Sequence, residues 1–212
     1  MRTGAGVLAA LLVIAGSWGY LTAVCRNQAD PRLASWGIWT VSMSVAAAGA
    51  ALAGQWPGAL LAGAGAVTAA AVLGAGIRHG DREFGRLDAA GLIFGVTGMI
   101  LLAVAPPAWA VAASVMTDLA AFAPTYANGW RGEEPLIPWI TIAAGAGVAL
   151  AAADFTVPAG FIYPAYELAA CTVMIILASA GTRRTRSGVA QSAERPPVKR
   201  SVTGSSPVTG AQ

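Results

Sequence analysis

Apolar positions in this chain gather into long unbroken runs, separated by short polar segments. Seven such runs occupy about residues 4–24, 34–54, 57–77, 88–106, 107–128, 136–153 and 157–180. Each reaches or approaches the ~20 residues that carry a helix across a bilayer. The segment "GQWPG" (54–58) and the Pro106-Pro107 pair mark tight turns, because proline disfavours helix at the preceding residue and removes a backbone donor. At Pro106 a kink inside one longer helix is the other reading, since membrane helices tolerate proline. The pattern predicts an all-α, polytopic integral membrane protein with seven transmembrane helices.

Composition agrees with the pattern. Hydrophobic residues make up 56% of the 212 and charged residues 11%, with a mean hydropathy of +0.63. An average soluble domain is about a quarter charged. A core of this size cannot absorb so much apolar surface, so the lipid bilayer is the expected partner. The net charge of +3 is not a nucleic-acid signal. Six of the thirteen basic residues follow Thr182, leaving seven basic against nine acidic residues before it. Cys25 and Cys171 are far apart, and nothing in the sequence argues that they pair.

Charge also orients the chain. With seven crossings, Arg26 and Arg32, then Arg78, Arg82 and Arg86, then Arg131, share a side with Arg183, Arg184 and Arg186. The other side holds only Arg2. The positive-inside rule then places the protein in the cell (inner) membrane, N-terminus outside and C-terminus cytoplasmic. Six or eight helices would scatter these arginines over both faces. The first run has a rival reading as a secretory or lipoprotein signal, with a basic start and a cysteine. Against it, Val24 is too large for the small residue a lipoprotein cleavage site needs.

One junction occurs twice. "GYLTAVCRNQADPRLASWGIW" (19–39) and "APTYANGWRGEEPLIPWI" (123–140) each end an apolar run on an aromatic and small polar residues. Each then meets an arginine, acids and a proline, and opens the next run on a tryptophan. Arg26 and Arg131 lie 105 residues apart, and Trp36 and Trp139 lie 103 apart. Helices 1–3 thus answer to helices 5–7, with helix 4 as connector: a parallel 3+1+3 repeat. Repeat one covers about residues 4–77, the linker helix 88–106 and repeat two 107–180, within a transmembrane domain of residues 1–182.

This arrangement resembles the SWEET and PQ-loop superfamily of membrane transporters. Pro124-Thr125 stands where that family often has Pro-Gln, while the first half has Gly19-Tyr20 and no proline. A nearer resemblance is to uncharacterised bacterial membrane proteins with a "SWxxW"-like opening of helix 2, here Ser35 to Trp39. They also carry "D…PTxxxxWR" in helix 5, here Asp118 through Pro124-Thr125 to Trp130-Arg131. The resemblance covers about residues 5–181. It implies two three-helix bundles rocking about a midplane site for a small, sugar-like solute.

Two acids fall deep inside runs, Asp118 in the fifth and Glu167 in the seventh. An acid at mid-bilayer costs about 2.5–3.5 kcal/mol on the insertion scale and needs a partner, a wet cavity or a proton. Either they line a polar pocket between the repeats, or they make structural hydrogen bonds. Trp36, Trp39 and Trp139 suit the membrane interface, where an apolar ring keeps its N–H near water. Their matched positions also suit a pocket or gate, which Tyr163 of "YPAYE" would join. Pro124 and Pro164 free carbonyls and permit hinge bends, or are ordinary membrane-helix prolines. Gly91 and Gly95, with the Gly/Ala-rich third run, read as close helix packing.

Enzyme signatures fail. His79 has no second ligand for a zinc site and no partners for a triad. "EEPLIP" has paired glutamates, like intramembrane CAAX-type proteases, but lacks their arginine and histidines. No Gly-rich loop precedes a Lys-Ser/Thr. No metal and no cofactor are expected. Residues 183–212 read as a disordered basic tail. Within it, "GVAQSAER" and "VTGSSPVT" resemble a translated transfer-RNA gene, which points to read-through; an ordinary tail on anionic lipid is the alternative. The leading functional expectation is small-solute transport by alternating access. A membrane-embedded binding or regulatory subunit without transport is the other class, and oligomeric state is not legible.

Overall fold

The computed structural model describes residues 2–29, 31–132 and 134–194. The part of the expected tail from residue 195 on lies outside them. Each apolar run forms one helix: α1 (Arg2–Cys25), α2 (Leu33–Leu52), α3 (Trp56–Gly76), α4 (Arg86–Val104), α5 (Pro107–Arg131), α6 (Leu136–Ala151) and α7 (Pro158–Glu194). There is no strand among the described residues, only an isolated bridge between Arg32 and Asp81. α7 runs past residue 183, so the expected start of the tail falls inside a helix.

Turn chemistry sets the boundaries. α2 stops at Leu52 and Gly54 takes a left-handed φ of 71°, a conformation that costs glycine nothing. Pro57 and Pro107 sit in the first turns of α3 and α5, where a missing N–H is harmless. Pro106-Pro107 is therefore a break and not a kink. At α4, Asp88 accepts the Gly85 N–H at 2.7 Å and so caps its own helix.

Five of the seven helices are long and apolar enough to cross a membrane: α1, α2, α3, α4 and the Pro158–Arg184 part of α7. α5 is long, but Ser114, Thr117, Asp118, Thr125, Asn128 and Arg131 dilute its apolar character. α6 is apolar but has 16 residues, about 24 Å against a hydrocarbon layer of roughly 30 Å. The outward faces of α1 and α4 are apolar and exposed, including Leu8, Leu11, Trp18, Ile93 and Ile100. A surface of this kind suits lipid.

The helices pack in a definite pattern. The backbone of α3 runs close to both α1 and α2, and that of α7 to both α5 and α6, while α1 meets α2, and α5 meets α6, only through side chains among the described residues. Two further seams, α1 on α6 and α2 on α5, join the groups; α4 lies on α2 and α5. Glycine permits both seams. A Cβ on Gly145 would stand 2.9 Å from the Ala9 carbonyl oxygen, and one on Gly49 would stand 2.8 Å from Val111 Cγ2.

The two ends of the bundle are tied differently. At one end Arg2 donates to Asp154 at 3.1 Å, and the Asp154 N–H donates to Gln55 at 3.3 Å. These contacts link α1, the α2–α3 turn and the α6–α7 turn. At the other end Leu33 and Asp81 pair their backbones, and Arg32 donates to the buried Asp88 at 2.6 Å.

Candidate functional site

Two adjoining cavities lie where α1, α2, α3, α5, α6 and α7 converge. The outer one, about 150 Å³, is walled at the Arg32 end of the bundle by Tyr20, Arg32, Asn128, Glu134 and Pro135. Pro124 and Thr125 are on the same wall. The inner one, about 60 Å³, reaches Thr68, Tyr163 and Glu167 in mid-helix positions. Ser17, Trp36, Trp39, Trp139 and Ile142 line both, so the tryptophans stand where the two chambers meet.

The ring arrangement follows from helix spacing. Ser35, Trp39 and Ser42 repeat at four and three residues, which puts them on one face of α2. Trp39 is only 5% exposed, too deep for an interface anchor. It packs on Trp36 at 5.0 Å and on Phe122 at 5.2 Å, and Phe122 packs on Trp139 at 5.7 Å. Tyr20 stacks on Trp36 at 5.2 Å. Aromatic contacts thus run continuously from α1 through α2 and α5 to α6.

The two acids have different surroundings. Asp118 is fully buried, and neither chamber has it on the wall. Its carboxyl meets Ser42 Oγ at 2.5 Å and receives the Tyr163 hydroxyl at 3.2 Å. Ser42 Oγ also lies 2.9 Å from the Ser114 carbonyl oxygen. One hydroxyl hydrogen cannot serve both contacts. Both are satisfied when the Asp118 carboxyl carries a proton toward Ser42 Oγ and Ser42 donates to Ser114. The expected pocket thus loses Asp118 from its surface, because Tyr163 stands between it and the inner chamber.

Glu167 is on the chamber wall and 4% exposed. Its Oε1 accepts the Cys171 thiol at 3.7 Å, one helical turn on. Its Oε2 is buried with no hydrogen-bond partner. The Trp39 and Trp139 indole N–H groups, Ser35 Oγ and Arg32 Nε, all in residues lining the outer chamber, are likewise buried without partners. A native interior rarely leaves so many polar atoms unpaired in one place.

Pro164 lies elsewhere. It is fully buried near the Arg2–Asp154 end, where the carbonyl of Gly160 faces Gly58 of α3. A proline at 164 takes away the N–H which that carbonyl would otherwise accept. Sequence reasoning missed Ser35, Ser42, Ser114, Phe122 and Cys171. The signal was present for three of them: Ser35 and Ser42 fall on the Trp39 face, and Ser114 is one turn from Asp118. Among the described residues no group of three His, Cys, Asp or Glu converges to hold a metal ion. No protein-family model, curated protein or solved structure matches the chain.

Proposed function

We propose that the chain is a small-solute transporter of the cytoplasmic membrane, with seven crossings arranged as two three-helix bundles and a connector. The observation that carries this reading is the cavity. It runs from the Arg32 end of the bundle to a buried, half-paired carboxylate, while the Arg2 end is tied by Asp154 and Gln55. A blind cavity closed at one end is one half of an alternating-access cycle.

The packing pattern supports the 3+1+3 repeat. Exchanging α1 with α5, α2 with α6 and α3 with α7 carries the contacts among these six helices onto themselves, α4 standing outside the exchange: α3 between α1 and α2 becomes α7 between α5 and α6. The seam of α1 on α6 becomes the seam of α2 on α5. The ends support seven crossings, since Arg2, Gln55 and Asp154 meet at one end and Arg32, Asp81 and Asp88 at the other. Every helix, α5 and α6 included, then travels from end to end. The arginine-rich end is cytoplasmic by the positive-inside rule. These features are those implied by the resemblance to the SWEET and PQ-loop superfamily.

Rocking of the bundles about the α1–α6 and α2–α5 seams would open the tied end and close the other. Purified protein in liposomes, screened for uptake of sugars, amino acids, amines and ions, tests the reading. Uptake of a solute that is lost in Glu167→Gln supports it. Saturable solute binding without uptake would favour the non-transporting subunit instead.

A further inference from the structure

The polar atoms left unpaired in the two chambers are not of one kind, and their distribution says what fits. In the inner chamber the Thr68 hydroxyl is turned back onto carbonyls of its own helix, at 3.0 and 2.9 Å. The Tyr163 hydroxyl has its hydrogen on Asp118. Ser17 and the indoles of Trp39 and Trp139 are shared with the outer chamber, so the buried unpaired atom that belongs to the inner chamber alone is an acceptor, Glu167 Oε2. Five rings share that chamber's wall, those of Trp36, Trp39, Phe122, Trp139 and Tyr163, and no Lys, Arg or His is on it. Ring faces carry negative potential and attract cations, most strongly for tryptophan. Aromatic walls with one carboxylate, and no cation of the protein's own, make a site for a positive group.

At the junction and in the outer chamber the buried unpaired atoms are donors: both indole N–H groups where the chambers meet, then Arg32 Nε and the Ser35 hydroxyl, which can also donate. The far end of the ligand must therefore accept hydrogen bonds. A carboxylate is disfavoured there, because Arg32 is already ion-paired with Asp88 at 2.6 Å and Glu134 stands on the same wall. A neutral oxygen fits. Size limits the inner group, since a cavity of about 150 Å³ takes a benzene and the inner chamber has about 60 Å³. A primary ammonium head fits that space, whereas a trimethylammonium head, about as bulky as benzene, does not. A sugar ring does not, and one acceptor would leave most of its hydroxyls unpaired.

We infer that the site binds a small organic cation carrying a neutral oxygen acceptor, a primary amino alcohol. Its ammonium group lies against Glu167 and its oxygen against the Trp39 and Trp139 N–H groups. The inference rests on the cavity proposed above as the transport site and names its ligand class.

Equilibrium binding of radiolabelled ethanolamine to the full chain in non-ionic polyoxyethylene micelles tests it. Saturable binding is expected, displaced by ethylamine but not by choline, glucose or glycine. Glu167→Gln should weaken ethanolamine binding by at least ~30-fold, as loss of a buried charge partner does. Trp39→Phe keeps a ring but loses the donor. It should weaken ethanolamine binding while leaving ethylamine, which has no oxygen, unchanged. The displacement series uses the unaltered protein, so the test survives a variant that fails to fold. Absence of saturable ethanolamine binding by monodisperse protein, displacement by glucose, or undiminished binding in Glu167→Gln would each overturn the inference. Ethanolamine binding without uptake would overturn transport alone, whereas glucose uptake without ethanolamine binding would overturn this inference and leave transport standing.

Discussion

Ser42 of α2 and Asp118 of α5 approach to 2.5 Å, joining the two helices through a buried hydroxyl and a buried carboxyl. Because Ser42 also reaches the Ser114 carbonyl, the contact depends on hydrogen bonding and not on charge. Asp118→Asn, whose amide can donate to Ser42 and accept from Tyr163, is expected to keep the thermal midpoint close to that of the unaltered protein. Ser42→Ala leaves Asp118 without that partner and should destabilise by about 1–3 kcal/mol, the range for an unsatisfied buried group. Asp118→Leu should cost more. Thermal unfolding in micelles measures all three, and an Asn variant as unstable as the Leu variant would sink this assignment.

Arg2 and Asp154 close the opposite end. The Asp154 carboxyl is lowered from about 3.8 to about 2, first by the Thr156 hydroxyl, then by the Thr156 N–H and by Arg2. A lowered carboxyl stabilises the tie above its ordinary value, and the tie is lost as pH falls toward about 2. The closure is therefore expected to be insensitive to pH between roughly 5 and 8. Carboxyl titration by NMR should move upward in Thr156→Val. A midpoint unchanged by that substitution would contradict the assigned cause.

Close backbone approach makes a sharp pair of glycine tests. A Cβ on Gly181 of α7 would stand 2.4 Å from the Gly129 carbonyl oxygen and 2.5 Å from the Gly132 nitrogen. Neither can move without parting α5 from α7. Gly181→Ala should lower stability by about 1–3 kcal/mol. Gly147→Ala, with nothing within 4 Å of the added carbon, should be neutral or slightly stabilising. Equal effects in the two variants would refute the packing described here.

The seven helices were legible because apolar runs in a membrane protein are long and their breaks are chemical. "GQWPG" and Pro106-Pro107 end helices where the structure ends them. Glu167 and the three tryptophans were legible as candidates, since acids and matched aromatics are conspicuous among alanines. Their assembly was not. Which face of α2 meets α5 depends on packing between distant segments, so Phe122 emerged only in three dimensions. The same limit holds for Asp118: depth in a helix is visible in sequence, but whether the side chain meets a cavity or a serine is not.

Topology turns on α5 and α6, the two helices that fall short of an ordinary span. In a background of Cys25→Ser and Cys171→Ser, single cysteines replace the exposed residues Gln28, Glu83 and Pro135 at one end, and Leu52 and Phe155 at the other. Impermeant thiol reagents should label the first three from the cytoplasmic side and the last two from outside. Pro135 is the deciding position. Labelled together with Leu52, it would make α5 and α6 a hairpin that does not cross.

Alternating access itself is tested most directly at Thr68, a wall residue of the inner chamber. Thr68→Cys in the same background should react with a small impermeant thiol reagent applied at the Arg32 end of the bundle. Adding Asp154→Asn weakens the tie to Arg2 and should bring reaction from the opposite side, with a matching fall from the first. Reaction from the Arg32 side alone, at the same rate with and without Asp154→Asn, would contradict a cavity that opens to the two faces in turn.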